Sequence, residues 1–348
     1  MTPMRRREIL QNWETGCLRQ KAGKEASSMA QIIWEKESKR AIINRIIRVY
    51  TAAAGMIVAL FILGGKLDVY GMGSDYDSYF ENSRNDRLPQ TIVSRVVTDF
   101  LKSPLPKGKE EKKVMVMGYD GFCEDGLELL LEDPQSSVRL AAQEGGLYHT
   151  YAGGEEEMPQ QTTTAPGWAS ILTGYWAEET GVYDCTCEKN ADITTFLMKE
   201  ALEGRSAVFA ASWDTHFSVT YRQDRALAGQ RRLPLTFIQG QDDSDTYQTV
   251  LEMAAGQNRK EADWPEDPDI IFFILEGTDE EGHRSGYGIG NDAYKDACLI
   301  SDACGRKILE AIRTRDTFLQ EEWLILVTTD HGGIGTSHGG QTPEERST

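Results

Sequence analysis

Short apolar runs alternate along the chain with segments whose apolar residues recur at helical spacing. Four uncharged runs are typical of buried strands and cover residues 114–118, 207–211, 270–275 and 324–329. Amphipathic segments predict helices over residues 124–133, 136–146, 192–204 and 292–315. This alternation predicts an α/β fold, a three-layer α/β/α sandwich with a mostly parallel central sheet.

One apolar run near the amino terminus has a different character. Residues 49–65, VYTAAAGMIVALFILGG, form 17 residues without a charge, close to the lower limit for spanning a bilayer. Residues 1–48 carry a net charge of +6 and the rest of the chain −24. Cations on one side favour a transmembrane signal anchor over a buried core helix or a cleaved signal peptide.

This interpretation divides the chain into four parts. Residues 1–48 are expected to be a basic cytoplasmic segment and residues 49–65 a single anchor in the cell membrane. Residues 66–112, rich in Gly, Asp, Ser and Pro, are expected to be a stem that contains one short helix. Residues 113–348 then form an extracytoplasmic domain. The overall net charge of −18 argues against nucleic acid as a partner.

Acidic residues follow three of the four predicted strands. Asp120 follows the first, Asp330 follows the last, and Glu276 and Asp279 follow the third. In an open α/β sheet, ligands bind beyond the carboxyl ends of the strands, so these acids are expected to converge. Each alone is more typical of an ordinary turn.

Three of the five histidines lie near these acids. His283 is four residues after Asp279, His331 is adjacent to Asp330, and His338 follows in a glycine-rich loop. Three Asp and three His exceed the needs of one tetrahedral ion and suit two divalent cations, of which Zn²⁺ fits best. The other two histidines, His149 and His216, are interpreted as structural.

A candidate nucleophile lies in residues 160–174, QQTTTAPGWASILTG. Pro166 suits a first helical turn, which places Thr164 near the helix amino terminus, where free N–H groups favour an anion. The backbone from Ala165 to Gly167 is expected to contact the substrate. The alternative is an ordinary threonine cap.

Four motifs in order resemble the alkaline phosphatase superfamily, and most closely its nucleotide pyrophosphatase/phosphodiesterase branch. They are GYDG, TTTAPGWASILTG, EGTDEEGHRSGYG and TTDHGGIGTSHGG, and the resemblance spans residues 113–348. It implies two zinc ions. The first would be held by Asp120, Thr164, Asp330 and His331, and the second by Asp279, His283 and His338, with Thr162 and Thr163 as alternative nucleophiles.

The sequence departs from that branch in two places. Gly167-Trp168 stands where the branch typically has Asn-His, so Trp168 is expected to stack on a ring of the substrate. The chain ends at Thr348, where the family usually continues, so the carboxy-terminal part of the fold is expected to be missing. A threonine without a following arginine argues against the sulfatase branch.

The resemblance implies a membrane-anchored, zinc-dependent hydrolase of phosphate mono- or diesters, with a Thr nucleophile and two metal ions. Other divalent metals remain possible. One alternative is a phosphoryl-alcohol transferase that acts on lipid or cell-wall polymer. Another is an inactive, truncated remnant that only binds metal.

Overall fold

The computed structural model describes residues 87–257 and 264–348. The basic segment, the predicted anchor at residues 49–65 and the first part of the stem lie outside these ranges. Among the helices within them, none is both long enough and apolar enough to cross a membrane. The described residues belong to one compact unit, Phe80–Thr348.

Five parallel strands form the central sheet. They are β2 (Glu111–Tyr119), β6 (Ala207–Ala211), β7 (Leu235–Gln239), β8 (Ile270–Leu275) and β9 (Glu321–Thr328). Their order is β7-β6-β8-β2-β9, and every pairing is parallel. The predicted α/β fold with a mostly parallel sheet is confirmed, and all four predicted strands are present. The prediction missed β7.

Four short strands form two small ribbons away from this sheet. β1 (Leu88–Pro89) pairs with β3 (Thr150–Tyr151), and β4 (Gly154–Glu155) pairs with β5 (Met158–Pro159).

Helices cover both faces of the sheet. Those on one face are α1 (Ile92–Lys102), α4 (Thr164–Thr173), α6 (Phe196–Leu202) and α7 (Arg222–Arg231). Those on the other are α2 (Glu124–Glu132), α3 (Ser137–Glu144), α8 (Asp243–Ala254) and α10 (Asp292–Arg313). The remaining helices are α5 (Ala177–Thr180), α9 (Gly277–Ser285) and α11 (Pro343–Arg346), and residues His216–Thr220 form a π-helical turn.

The main core lies between the sheet and the α1–α4–α6 face. Val114 and Val116 of β2 point into it, and so do Ile270, Phe272 and Ile274 of β8. All six residues of β8 are buried, which explains why its sequence is a continuous apolar run and not an alternating one.

Helix α1 differs from its predicted role. It lies within the segment interpreted as a stem, yet Val93, Val97, Phe100 and Leu101 pack into the main core. The folded domain therefore begins before residue 113, and at least part of the predicted stem belongs to it. The segment between α1 and β2, residues 103–110, is a surface loop.

Candidate metal centre and nucleophile

The carboxyl ends of β8, β2 and β9 meet at one edge of the sheet. Tyr119 of β2 pairs with Leu275 of β8, so Asp120 and Glu276 leave the sheet side by side. Asp330 lies two residues beyond β9. Three acidic side chains thus reach the edge at which parallel sheets bind ligands.

The first group of candidate ligands is Asp120, Asp330 and His331. All three side chains are fully buried, and their ligand atoms lie within 4.8 Å of one another. Nε2 of His331 is 3.5 Å from Oδ1 of Asp120 and 3.4 Å from Oδ2 of Asp330. The hydroxyl of Thr164 donates to Oδ1 of Asp120 at 3.4 Å, which brings the candidate nucleophile to this group.

The second group is Asp279, His283 and His338. Asp279 and His283 lie one turn apart on α9, and Nε2 of His283 is 3.5 Å from Oδ2 of Asp279. Nε2 of His338 is 3.5 Å from Oδ1 of Asp279 and 2.9 Å from Nε2 of His283. The rings of His331 and His338 stack with centroids 4.0 Å apart, so the two groups adjoin.

In each of the three histidines, His283, His331 and His338, Nδ1 is hydrogen-bonded to a backbone carbonyl. Nδ1 of His331 lies 2.8 Å from the Gly332 carbonyl, Nδ1 of His338 lies 2.9 Å from the Thr162 carbonyl, and Nδ1 of His283 lies 3.1 Å from the Thr336 carbonyl. Because a carbonyl can only accept, the hydrogen is on Nδ1 in each ring. In the neutral rings, Nε2 then presents a lone pair to the carboxylates, the arrangement typical of metal-binding histidines.

The electrostatics of the first group also favour a cation. Burial raises the pKa of Asp120 well above its ordinary value, and the charges of Asp279 and Glu276 raise it further. Burial raises the pKa of Asp330 in the same way, with the charge of Asp120 as the second cause. Burial lowers the pKa of His331 to about 4. A bound cation would favour the ionised carboxylates and the neutral imidazole together.

Two atoms of this group have no hydrogen-bond partner within the described ranges. They are Oδ2 of Asp330 and Nε2 of His331, both buried. Buried polar atoms are almost always paired, and both atoms face the interior of the ligand group. The donor set therefore fits a metal ion.

Helix α4 presents Thr164 in its first turn. Its N-cap, Thr163, is extended and makes no side-chain cap bond. The Gly167 N–H donates to the Thr163 carbonyl at 3.0 Å, and Pro166 has no N–H. Of the predicted substrate contacts from Ala165 to Gly167, only the Ala165 N–H is therefore free of the helix ladder.

Thr162 has a different use from Thr164. Its hydroxyl donates to the Gly340 carbonyl and accepts from the Gly339 N–H, at 2.9 and 3.1 Å, and its carbonyl accepts from His338. Thr162 thus holds the loop that carries His338. Among the three consecutive threonines, Thr164 is the one whose hydroxyl contacts a candidate metal ligand.

The structure corrects the predicted roles of Gly167 and Trp168. Trp168 is fully buried, packs edge-on against Phe272 and donates its indole N–H to Oδ2 of Asp120 at 2.8 Å. It cannot stack on a substrate ring, because no part of it faces solvent. Gly167 is also buried, and a Cβ there would lie 2.7 Å from Cβ of Asp330. Its role is close contact between α4 and the Asp330 loop.

Residues 159–342 match the sequence model of a family described as type I phosphodiesterase / nucleotide pyrophosphatase. This is more than half of the 348 residues. The chain belongs to this family. The predicted resemblance to this phosphodiesterase branch is thereby confirmed, and the chain is assigned to a family of phosphoester-cleaving enzymes.

Several solved structures share part of the chain trace of this phosphodiesterase-family protein. The zinc complex of the carboxy-terminal periplasmic domain of EptC from Escherichia coli has a TM-score of 0.40 at 11% identity, covering 68% of this chain and 70% of that one. BT1596, a 2-O GAG sulfatase, has a TM-score of 0.44 at 11% identity over 68% and 63%. Phosphonate monoester hydrolase of Agrobacterium radiobacter has a TM-score of 0.40 at 11% identity over 67% and 66%. No curated protein matches the sequence.

The family match includes every candidate ligand except Asp120, which precedes it. The two histidines interpreted as structural belong to neither ligand group. His149 lies beside Glu124, at 3.5 Å. His216 is fully buried among the rings of Phe209, Trp213 and Tyr221.

Three polar side chains around the candidate metal centre were not found from the sequence. Tyr287 donates its hydroxyl to Oδ1 of Asp279. Asp243 accepts from two backbone N–H groups at the start of α9. The thiol of Cys185 lies beside the Ala165 N–H and the Thr163 hydroxyl, and burial raises its pKa. Tyr287 lies near the end of the motif EGTDEEGHRSGYG, four residues after His283, and nothing in the sequence indicated the others.

Proposed function

We propose that the protein hydrolyses phosphate mono- or diesters, with Thr164 as the nucleophile and two divalent metal ions in the adjoining ligand groups. The observation that carries this proposal is the shared orientation of His283, His331 and His338. Each ring commits Nδ1 to a backbone carbonyl and turns Nε2 toward carboxylates. Lone pairs of Nε2 and of carboxylate oxygens repel one another at these distances, and a cation between them would make the arrangement favourable.

The chemistry of the ligands favours zinc. Asp120, Asp330 and His331, with the Thr164 hydroxyl, would hold one ion. Asp279, His283 and His338 would hold the other. Mixed imidazole and carboxylate donors are typical of Zn²⁺. Two such ions, when bound, would lower the pKa of the Thr164 hydroxyl, neutralise phosphoryl oxygens and stabilise the leaving oxygen.

The residues of the chain position the reacting groups. Oγ1 of Thr164, after losing its proton to solvent, would form a bond to phosphorus while the bond to the leaving alcohol oxygen breaks. That oxygen would take up a proton from solvent. Water would then replace Thr164 on phosphorus, which releases phosphate or a monoester. The first turn of α4 supports this role, because helix amino termini stabilise anions, and the Ala165 N–H can donate to a phosphoryl oxygen.

The test is hydrolysis of nitrophenyl phosphate and bis-nitrophenyl phosphate by the full chain. We expect Thr164→Ala and removal of metal by EDTA each to lower kcat at least about 1,000-fold, since both the nucleophile and its activation would be lost. Zinc should restore the wild-type protein but not the variant. Thr163→Ala is the matched control and should retain most activity.

Two results would overturn the proposal. Full activity of Thr164→Ala would exclude this nucleophile, and full activity after metal removal would exclude the metal centre. Product analysis with an added alcohol separates hydrolysis from the transferase alternative, in which the phosphoryl group goes mainly to the alcohol. Zinc binding without turnover of either ester would support the remnant that only binds metal.

We also propose that residues 49–65 anchor the protein in the cell membrane, with the catalytic domain outside the cytoplasm. The support is their uncharged sequence and the cations before them. Leu60→Arg would place a charge within this segment, at a cost of about 3 kcal/mol in a bilayer. We expect it to move the protein from the membrane fraction to the soluble fraction. Unchanged fractionation of wild type and variant would contradict the anchor.

A further inference from the structure

Asp243 is the first residue of α8, but its carboxylate accepts hydrogen bonds from the start of another helix, α9. Oδ1 accepts from the Glu276 N–H at 2.9 Å, and Oδ2 accepts from the Gly277 N–H at 2.8 Å. The Ser212 hydroxyl also donates to Oδ1, at 3.3 Å. Two neighbouring backbone donors at the start of α9 are thus held by one carboxylate from a different part of the fold.

The helix that carries Asp243 does not need this side chain as a cap. Its N-cap is Asp242, whose Oδ1 accepts from the Asp245 N–H at 2.8 Å. By contrast, α9 has Glu276 at its N-cap and makes no side-chain cap bond of its own. The first N–H groups of a helix lack partners within the helix, so Asp243 supplies from outside the cap that α9 lacks.

This contact lies close to two candidate metal ligands. Gly277 is the first residue of α9, Asp279 is the third, and His283 is one turn further on the same face. On the other side of the same turn, the Thr278 hydroxyl donates to the backbone carbonyl of Asp120. The first turn of α9 is therefore fixed between Asp243 and the end of β2.

We infer that Asp243 is a positioning residue for the metal ion held by Asp279 and His283. The inference rests on the proposed function, because it assumes that these residues bind metal. Metal ligands must be held within about 0.5 Å of the productive geometry. Without its external cap, the first turn of α9 loses two of the contacts that fix Asp279 in place.

Zinc titration of the full chain, in competition with a chelator of known affinity, tests this role independently of activity. The wild-type protein should bind two ions. Asp243→Asn keeps the size of the side chain but turns an amide toward one backbone donor, and we expect it to weaken one ion about tenfold. The other ion should keep its affinity. Asp242→Asn, which removes the same charge one residue away, is the matched control and should change neither.

Double variants identify which ion is affected. In a His283→Ala background, where that site is already impaired, Asp243→Asn should add little. In an Asp330→Asn background, which weakens the other site, Asp243→Asn should still cost about tenfold at the remaining ion, because independent sites add. Ser212→Ala removes one contact to the Asp243 carboxylate and should produce a smaller loss at the same ion, which keeps the test available if Asp243→Asn folds poorly.

The outcomes separate this inference from the function on which it rests. If the wild-type protein binds no zinc, both are wrong. If the wild-type protein binds two ions and Asp243→Asn binds both equally well, the positioning role is wrong and the proposed function stands. If Asp243→Asn weakens both ions equally, Asp243 supports the fold in general and the inference is overturned. Loss confined to the Asp279 and His283 ion supports it.

Discussion

The indole N–H of Trp168 donates a 2.8 Å hydrogen bond to Oδ2 of Asp120. One turn earlier on α4, the Thr164 hydroxyl donates to Oδ1 of the same carboxylate. A single helix therefore contacts both oxygens of Asp120, once with the proposed nucleophile and once with a buried donor. The orientation of the carboxylate and the position of the hydroxyl are coupled through α4.

Trp168→Phe tests this coupling. Phenylalanine keeps an aromatic ring against Phe272 but lacks the donor, so one oxygen of Asp120 loses a partner in a fully buried position. We expect zinc affinity and kcat each to fall about tenfold, with little change in KM. Trp176→Phe removes an exposed indole bond to Glu155 and should be neutral. A large rise in KM with unchanged zinc affinity would instead indicate contact with the substrate.

The strands of the centre of the sheet could be predicted because both of their faces are buried. β8 has six buried residues in a row, and a short, continuous apolar run of this kind indicates a buried strand. β7 is missed because Thr236 and Gln239 leave it without a continuous apolar run. β9 lies at the other edge of the sheet and is partly exposed too, but its residues 324–327 are all apolar and so indicate a strand. Helix α1 could be predicted as a helix within the stem, but its amphipathic pattern does not indicate that its apolar face packs into the core of the following domain.

The candidate ligands could be predicted because their positions follow from local sequence: they lie at the ends of strands or at helical spacing from one another. Asp279 and His283 share a helix face, and Asp120 follows its strand directly. The residues that support these ligands could not be predicted from the sequence. Asp243 follows β7 and α9 follows β8, and the two come together because β6 pairs with both strands. The direction of Trp168 depends in the same way on how α4 lies against β2, which no local pattern encodes.

Gly167→Ala should separate α4 from the Asp330 loop. The added Cβ would lie 2.7 Å from Cβ of Asp330 and 2.8 Å from its backbone oxygen, closer than real contacts allow. We expect a loss of about 1–3 kcal/mol in the free energy of unfolding, measured by urea denaturation, together with reduced kcat as Thr164 moves.

Gly229→Ala is the control for this substitution, because it lies within α7 and has nothing within 4 Å of the added Cβ. It should stabilise the protein by about 0.5–1 kcal/mol, the usual preference of a helix for alanine. Equal effects of the two substitutions would show that the contact between Gly167 and Asp330 is not tight.

Tyr287→Phe should weaken the metal site on α9. The Tyr287 hydroxyl donates to Oδ1 of Asp279, and the ring lies near His283 and His338. Without the hydroxyl, the carboxylate gains rotational freedom, and we expect about a tenfold loss of affinity for one zinc ion. Tyr151→Phe removes a comparable hydroxyl bond to Glu155, at 2.8 Å, and should leave zinc binding unchanged. Equal zinc affinities of Tyr287→Phe and wild type would contradict this role.

His216 should make the protein less stable in acid. Burial lowers its pKa to about 3, and neither ring nitrogen has a hydrogen-bond partner among the described residues, although Glu276 lies 3.6 Å away. The unfolded chain binds a proton near the ordinary value of about 6.5, whereas the folded chain does not until about 3. Between these values the unfolded state holds more protons, so stability falls as the pH falls, by up to about 1.4 kcal/mol per pH unit.

His216→Phe should remove this part of the pH dependence. The site is lined by the rings of Phe209, Trp213 and Tyr221, so phenylalanine suits its apolar surroundings. Urea unfolding in the presence of a chelator, at about pH 7 and about pH 5, gives the slope for each protein. All other titrating groups are common to both proteins, so the difference in slope reports His216 together with its effect on the neighbouring Glu276. Parallel pH profiles would mean that His216 has the same pKa in the folded and unfolded states, which would contradict the expected loss of stability in acid. A slope difference of the opposite sign would mean that Glu276 holds His216 protonated in the folded state.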